Sequence, residues 1–441
     1  MAGIVKQPAR ERVVLASVFE GPAAKAESEL AEMAELAESA GGSVVGSLTQ
    51  KSSDGRTDLG RGKLVELAAL CSRLGAHVLI TRNSLSPGAL KRMEEALPCR
   101  VIDRTGLILD IFAQRARSRE GQLQVELAQL MYRLPRLTGK GRELSRLGAR
   151  GGGLGTRGPG EQKLEYDRRR IRAKISRLKR EIEKLRERRG QQRRRRHDRS
   201  MPQVVLAGYT NAGKSTLFSA LSRSHATAES RMFSTLDPQV RIVRLPGGGR
   251  LLLSDTVGFI QDLPEDLRVA FRATLEEIAD ADGILHVVDA SHQEASARMA
   301  AVRNELSMLG AGAIPAITVM NKSDLVGSRG PSARWEPDSG ALARDGNPRE
   351  GSTVAISATT GSGLENLKTE LERLLRAVFW QRLSWGDPTP RLRSELAALG
   401  VAVTGTGSGD LSLEAWLSPA QAAAARKVQQ PDAVASGRAG S

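Results

Sequence analysis

The stretch VVLAGYTNAGKSTLF, Val204 to Phe218, constrains this chain more than any other. An apolar run feeds a glycine-bounded loop, which feeds the start of a helix. Gly208, Gly213, Lys214 and Ser215 fit the spacing G-x-x-x-x-G-K-[ST]. The glycines let backbone N–H groups converge on phosphate oxygens. Lys214 supplies a cation for β and γ phosphates, and Ser215 a hydroxyl for Mg²⁺. The candidate cradle runs from Gly208 through Tyr209, Thr210, Asn211 and Ala212 to Thr216. The same β–α alternation continues from 203 to about 380, so the loop is expected inside a parallel α/β domain spanning 201–382.

Three more motifs follow in the order that a guanine-nucleotide site needs. DTVG ends the apolar run RLLLSD. It offers Asp255 as a Mg²⁺ carboxylate, acting through water, and Gly258 as a backbone donor to a γ-phosphate. NKSD follows AITVM and places Asn321, Lys322 and Asp324 at a strand end. A carboxylate at Asp324 accepts two hydrogen bonds from guanine N1–H and its 2-amino group. Adenine has no such donor pair, so the residue selects the base. Lys322 lies along the base plane. ISATTG then brings Ser357, Ala358 and Thr359 toward the guanine oxygen. Between the phosphate loop and DTVG, MFSTLDP contributes Phe233 and Thr235, the threonine as a further ligand for Mg²⁺ and γ-phosphate. Lys214, Thr235, Gly258 and Asn211 are the candidate catalytic residues.

The segment before this domain reads differently. RVVLASVF, GSVVGSLT, AHVLITR and CRVID are strand-like, with helical patterns between them, so 1–115 is expected to be a parallel α/β domain without a phosphate loop. Beyond it, Leu123, Leu127, Leu130, Met131 and Leu134 share one helical face. After Pro135 and the loop GARGGGLGTRGPGEQ, a coiled-coil seam runs through Leu164, Ile171, Ile175, Leu178, Ile182 and Leu185. These patterns predict a helical hairpin over 116–200, its second helix about 27 residues long and roughly 40 Å at 1.5 Å per residue, with QQRRRRHDRS as a linker. VAVTGTG and DLSLEAWL predict two strands in a small α+β domain over 383–429, after a helix ending near Phe379 to Leu383. The last residues, 430–441, are read as a disordered tail.

Charge singles out the hairpin. From Arg133 to Arg199 there are 25 Lys+Arg against 8 Asp+Glu, a net +17, while the whole chain carries +16. A segment that holds the entire positive excess favours a polyanionic partner, nucleic acid first. Peripheral association with an anionic membrane surface stays open. No apolar run approaches a membrane span, and the N-terminus is charged too early for a signal peptide. Cys71 and Cys99 make no disulfide framework, and His77, His197, His225, His286 and His292 show no ligand spacing. A cytoplasmic monomer is the expectation.

The long stretches TGLILDIFAQRARSREGQLQVELAQL, GGGLGTRGPGEQKLEYDRR and DTVGFIQDLPEDLRVAFRATLEE, with FSTLDP, resemble the HflX family of translational GTPases, of the Obg-HflX branch. The resemblance implies an N-terminal α/β domain, a helical-hairpin linker, a P-loop G domain and a small C-terminal domain. It implies GTP and GDP as ligands, the ribosome and chiefly its large subunit as partner, and the splitting of stalled ribosomes as the role. It also implies that the glycine-rich tip (Gly151, Gly152, Gly153, Gly155, Arg157, Gly158 and Gly160) reaches toward ribosomal RNA. The alternative is an RNA-binding or ribosome-assembly scaffold that uses GTP only as a binding switch. The chain departs from the family in a longer insertion over 327–351, in Ser234 for alanine and in Gln239 for threonine.

Phe259 follows DTVG where a related motif carries a water-orienting glutamine. It has no hydrogen-bonding atom, so slow intrinsic hydrolysis is expected, with Phe259 packing in the loop. Two substitutes stay open. Asn211 resembles the phosphate-loop asparagine of potassium-activated GTPases, and a K⁺ held there would neutralise developing charge. Alternatively, the ribosome orders the loops around Thr235 and Gly258.

Overall fold

The computed structural model describes residues 10–52, 59–137, 159–197, 201–222, 232, 239–256, 258–259, 278–326, 352–385, 391, 392, 394, 396, 403–405, 413–418, 421–423, 425 and 426, without the side chains of 24–25, 159–163, 189–197, 403–405 and 413–415. It groups into two compact units, the first reaching Leu185.

The first unit holds four parallel strands, β1 (Glu11–Phe19), β2 (Gly42–Lys51), β3 (Val78–Thr81) and β4 (Arg100–Asp103), in the order β2–β1–β3–β4. Helices α1 (Ala23–Ser39), α2 (Arg61–Leu74) and α3 (Pro87–Ala96) connect them, the crossovers that parallel strands require. Ser86 caps α3 by accepting from the Ala89 amide at 3.1 Å. Met232, from much later in the chain, is also buried in this unit, and its amide donates to Ser39 Oγ at 3.0 Å.

Asp103 ends β4 and caps α4 (Arg104–Arg115). Its buried carboxylate accepts from the Gly106 amide, the Leu85 amide, the Tyr132 hydroxyl at 2.7 Å and Arg136 Nη2 at 2.8 Å. Tyr132 and Arg136 lie on α5 (Arg119–Arg136), so this one carboxylate ties the hairpin's first helix to the sheet. Removing it leaves the Arg136 guanidinium without a counter-charge among the described residues. Asp103→Ala is therefore expected to cost about 3–5 kcal/mol in urea unfolding, and a loss under 1 kcal/mol would contradict the assignment.

Pro135 sits in the last turn of α5 rather than ending it earlier. The partner helix α6 (Pro159–His197) has 39 residues, well beyond the expected 27. Gly160, expected in the tip, is its second residue, and residues 191–197, expected as linker, are helical. Proline at the first helical position needs no amide partner, and arginine is a good helix former, so both ends extend. In the seam Leu178 and Ile182 are buried, Leu164, Ile171, Ile175 and Leu185 half-buried, and Lys174 pairs with Glu126 across to α5. The other tip residues, Gly151 to Gly158, lie outside the described residues.

The second unit is built on β5 (Gln203–Gly208), whose run QVVLAG is buried on both faces. Val204 and Leu206 enter one core, with Leu217 and Leu253. Val205 and Ala207 enter the other, with Val302 and Leu306. This is the period-two split of a central parallel strand. The sheet order is β10–β9–β8–β5–β7–β6, where β6 is Gln239–Arg244, β7 Arg250–Asp255, β8 Gly283–Asp289, β9 Ala316–Asn321 and β10 Thr353–Ala355. Only β6 is antiparallel to its neighbour. Because the chain leaves β5 toward both edges, the carboxyl end of β5 is a topological switch point, where open α/β sheets bind ligands.

Helices α7 (Lys214–Ser222), α8 (Ala295–Met308) and α9 (Leu364–Val378) cover the sheet. α9 stops at Val378, and Gln381–Trp385 forms a strand, β11, where the sequence pattern suggests the end of a helix. Leu383 and Trp385 alternate inward on it, as a strand demands. β11 pairs with β13 (Leu413–Leu417), which also pairs with β12 (Val403–Gly405). The segments 327–351 and 430–441 lie outside the described residues.

Candidate functional site

The end of β5 delivers Gly208, and the loop to α7 brings the predicted cradle together at one sheet edge. Lys214 is buried and its Nζ donates to the carbonyls of Gly208 at 3.0 Å and Tyr209 at 2.8 Å. Burial pushes this ammonium down to about 8, with Asp255 opposing the shift, so it stays charged at neutral pH. The two carbonyls satisfy the charge, and phosphate oxygens can replace them. Asn211 takes a left-handed conformation at φ 61°. Gly213 is required by sterics: at φ 91° an added Cβ would lie 2.2 Å from Asn321 Nδ2. Thr216 is half-buried at the start of α7.

Ser215 Oγ donates to Asp255 Oδ2 at 2.9 Å. A hydroxyl in the first turn of α7 and a carboxylate at the end of β7 form a hard-oxygen set. That suits a small divalent cation which keeps most of its waters. Phe233 and Thr235 lie outside the described residues.

Asn321 is buried and connects two loops. Its Nδ2 donates to the Ala212 carbonyl at 2.9 Å, and its Oδ1 accepts from the Ala358 amide at 3.0 Å. The side chain thus ties the phosphate loop to ISATTG. Lys322, at φ 61°, reaches Asp289 Oδ2 at 2.6 Å. Burial alone would push the Asp289 carboxyl up; hydrogen bonds from Lys322 and Ser291 outweigh it and hold it below the ordinary carboxylate range. Asp289 was not among the residues expected here, and the apolar run before it, ILHVVD, marks only a strand end. Asp324 is exposed, Ser357 and Ala358 buried, and Thr359 exposed.

Phe259 is buried with Tyr209, Ile278, Ile284, Val302 and Leu306. Its carbonyl accepts from the Thr210 amide at 2.8 Å, and its amide donates to the Gly208 carbonyl at 3.0 Å. The loop after β7 is thus clamped beside the phosphate loop by a short parallel bridge. Gly258 is held so close that an added Cβ would sit 2.9 Å from Lys214 Nζ and 3.0 Å from Thr210 Cγ2. The phenylalanine has a packing role, and its neighbour Gly258 is the residue that faces the lysine.

A buried lysine that can trade its own carbonyls for phosphate sits at the same sheet edge as a turn whose exposed carboxylate can meet a base. This is the arrangement of a P-loop GTPase. Residues 203–322 match the family described as "50S ribosome-binding GTPase", 27–113 that described as "GTP-binding GTPase N-terminal", and 115–196 "GTP-binding GTPase Middle Region". The GTPase HflX of Caldanaerobacter subterraneus subsp. tengcongensis is 45% identical over 368 residues, 83% of this chain and 81% of that protein. The GTPase HflX of Escherichia coli is 40% identical over 374 residues, 84% of this chain and 85% of that one. A GTP-binding protein from Sulfolobus solfataricus, solved in complex with GDP, aligns over 82% of this chain and 98% of its own at 23% identity and TM-score 0.46. The chain belongs to the HflX family of GTPases; it binds guanine nucleotides and hydrolyses GTP. Among the described residues no helix is long and apolar enough to cross a membrane.

Proposed function

We propose that this GTPase acts on the ribosome, binding chiefly the large subunit and separating the subunits of stalled ribosomes while GTP is bound. The observation that carries this reading is the net +17 confined to 133–199, a charge suited to ribosomal RNA. The family description matched by 203–322 supports it. In this reading the chain is a cytoplasmic monomer, organised as an α/β domain (1–115), a basic hairpin (116–200), a G domain (201–382) and a small C-terminal domain (383–429), and residues 151–160 contact RNA.

At the nucleotide, the loop amides from Tyr209 to Ser215 hold the phosphates, and Lys214 moves from its own carbonyls to β and γ oxygens. Gly258 donates its amide to the γ-phosphate. Asp324 accepts from guanine, and Ala358 donates to the base oxygen. Ser215 and Thr235 would hold Mg²⁺, with Asp255 acting through water, and when bound it would neutralise phosphate charge. Since Phe259 is locked in apolar packing, nothing at that position orients the attacking water. Hydrolysis therefore depends on an outside element, either the ribosome or a K⁺ at Asn211.

The test is GTP turnover with and without purified large subunits, in K⁺ and in Na⁺. Subunits are expected to raise the rate by an order of magnitude or more, as external elements do for other slow GTPases. An unchanged rate favours the scaffold reading. Equal rates in K⁺ and Na⁺ remove the Asn211 ion.

A further inference from the structure

Among the described residues, two buried polar atoms behind the phosphate loop have no hydrogen-bond partner: Thr210 Oγ1 and His286 Nε2. Thr210 is 2% exposed and His286 3%. Both residues line one small pocket between the sheet and α8, whose volume of about 10 Å³ has room for a single water. β8 places His286 beside Ala207 of β5, on the face that α8 covers. The Arg298 guanidinium, which also lines the cavity, lies over the Tyr209 ring at 4.6 Å.

Two orphaned polar atoms sharing one water-sized space are the setting in which buried water is found. We infer that His286 and Thr210 hold one ordered water molecule, and that this water fixes the Thr210 side chain against Gly258. Geometry supplies the second half. Thr210 Cγ2 lies 3.0 Å from the position of a Cβ on Gly258, so the methyl backs Gly258. The two substituents of a threonine Cβ diverge, so a hydroxyl held in the cavity keeps the methyl where it is. Burial pushes the imidazole down to about 4, with Arg303 and Lys214 adding to the shift. At neutral pH the ring is uncharged, with one nitrogen to donate and one to accept.

His286 is then a positioning residue, acting through water and Thr210 on Gly258. The inference rests on the reading of Gly258 as the γ-phosphate contact. Its effect should appear with GTP and not with GDP, because only GTP has that phosphate.

The experiment measures affinity for a fluorescent non-hydrolysable GTP analogue and for fluorescent GDP in the full chain. His286→Leu and the isosteric Thr210→Val are each expected to weaken the GTP analogue three- to tenfold relative to GDP. Combined, they should do no more than either alone, since both remove the same water. His286→Gln, which keeps a polar atom at the cavity, should recover at least half of the loss on a logarithmic scale. Additive effects in the double variant, or equal losses for both nucleotides, overturn the inference. Gly258→Ala is run alongside: if it leaves the GTP-to-GDP ratio unchanged, the reading of Gly258 fails instead. Should His286→Leu not fold, Thr210→Val and His286→Gln decide, because a water-held threonine predicts a lowered ratio in the first and at most half that loss, on a logarithmic scale, in the second.

Discussion

Asp324→Asn is expected to weaken GTP binding by about 10²- to 10⁴-fold and to create affinity for xanthine nucleotides. The wild-type carboxylate accepts two hydrogen bonds from guanine, each worth about 1.5–3 kcal/mol to a charged group. An amide turns one acceptor into a donor, which then faces guanine's own donor. Xanthine carries an oxygen where guanine has its amino group, so donor and acceptor match again. Asp324 is exposed within the short turn Ser323–Leu325 after β9, so the substitution disturbs no core. Titration of GTP and XTP against the variant reads the result. Unchanged GTP affinity would remove Asp324 as the base selector.

Lys214→Ala should lower GTP turnover by about 10²- to 10³-fold, the usual cost of deleting one preorganised donor at developing charge. The structure adds a second expectation. Lys214 Nζ satisfies the carbonyls of Gly208 and Tyr209, which are left without this donor in the variant. Loop geometry should loosen, and GDP affinity should fall as well as turnover. Single-turnover hydrolysis and GDP titration separate the two. Loss of turnover with GDP affinity intact would mean that the lysine serves the γ-phosphate only, without holding the loop or the β-phosphate.

Much of this site could be read before any coordinates, because its motifs sit at strand ends where the backbone dictates residue type. Gly213 is one such case, since no side chain fits beside Asn321. The exposed Asp324 is another, at a turn that a strand pattern locates. What escaped is tertiary. The sequence places Asn321 only at a strand end of the nucleotide site, yet its side chain joins Ala212 to Ala358, a contact between residues more than 30 positions apart in each direction. Asp289 and its pairing with Lys322 have no local signature. His286 looked like a lone histidine in an apolar run, and only its shared cavity with Thr210 gives it meaning. The alternating pattern located β1 to β4, but QRLSW follows a long amphipathic helix so closely that its strand character depends on pairing with β13. The hairpin's second helix was underestimated because a glycine–proline stretch and an arginine run both read as loop, whereas the proline begins the helix.

Phe259 bears on the central claim. A side chain packed among Tyr209, Ile284 and Val302 has no atom to orient the attacking water, and on the proposed reading the ribosome or a K⁺ supplies that element. The most direct measurement is light scattering of stalled ribosomes mixed with this protein. Scattering is expected to fall, as subunits separate, with GTP and with a non-hydrolysable analogue, and to stay constant with GDP. No fall with either triphosphate, or an equal fall with GDP, would contradict a GTP-bound ribosome-splitting role.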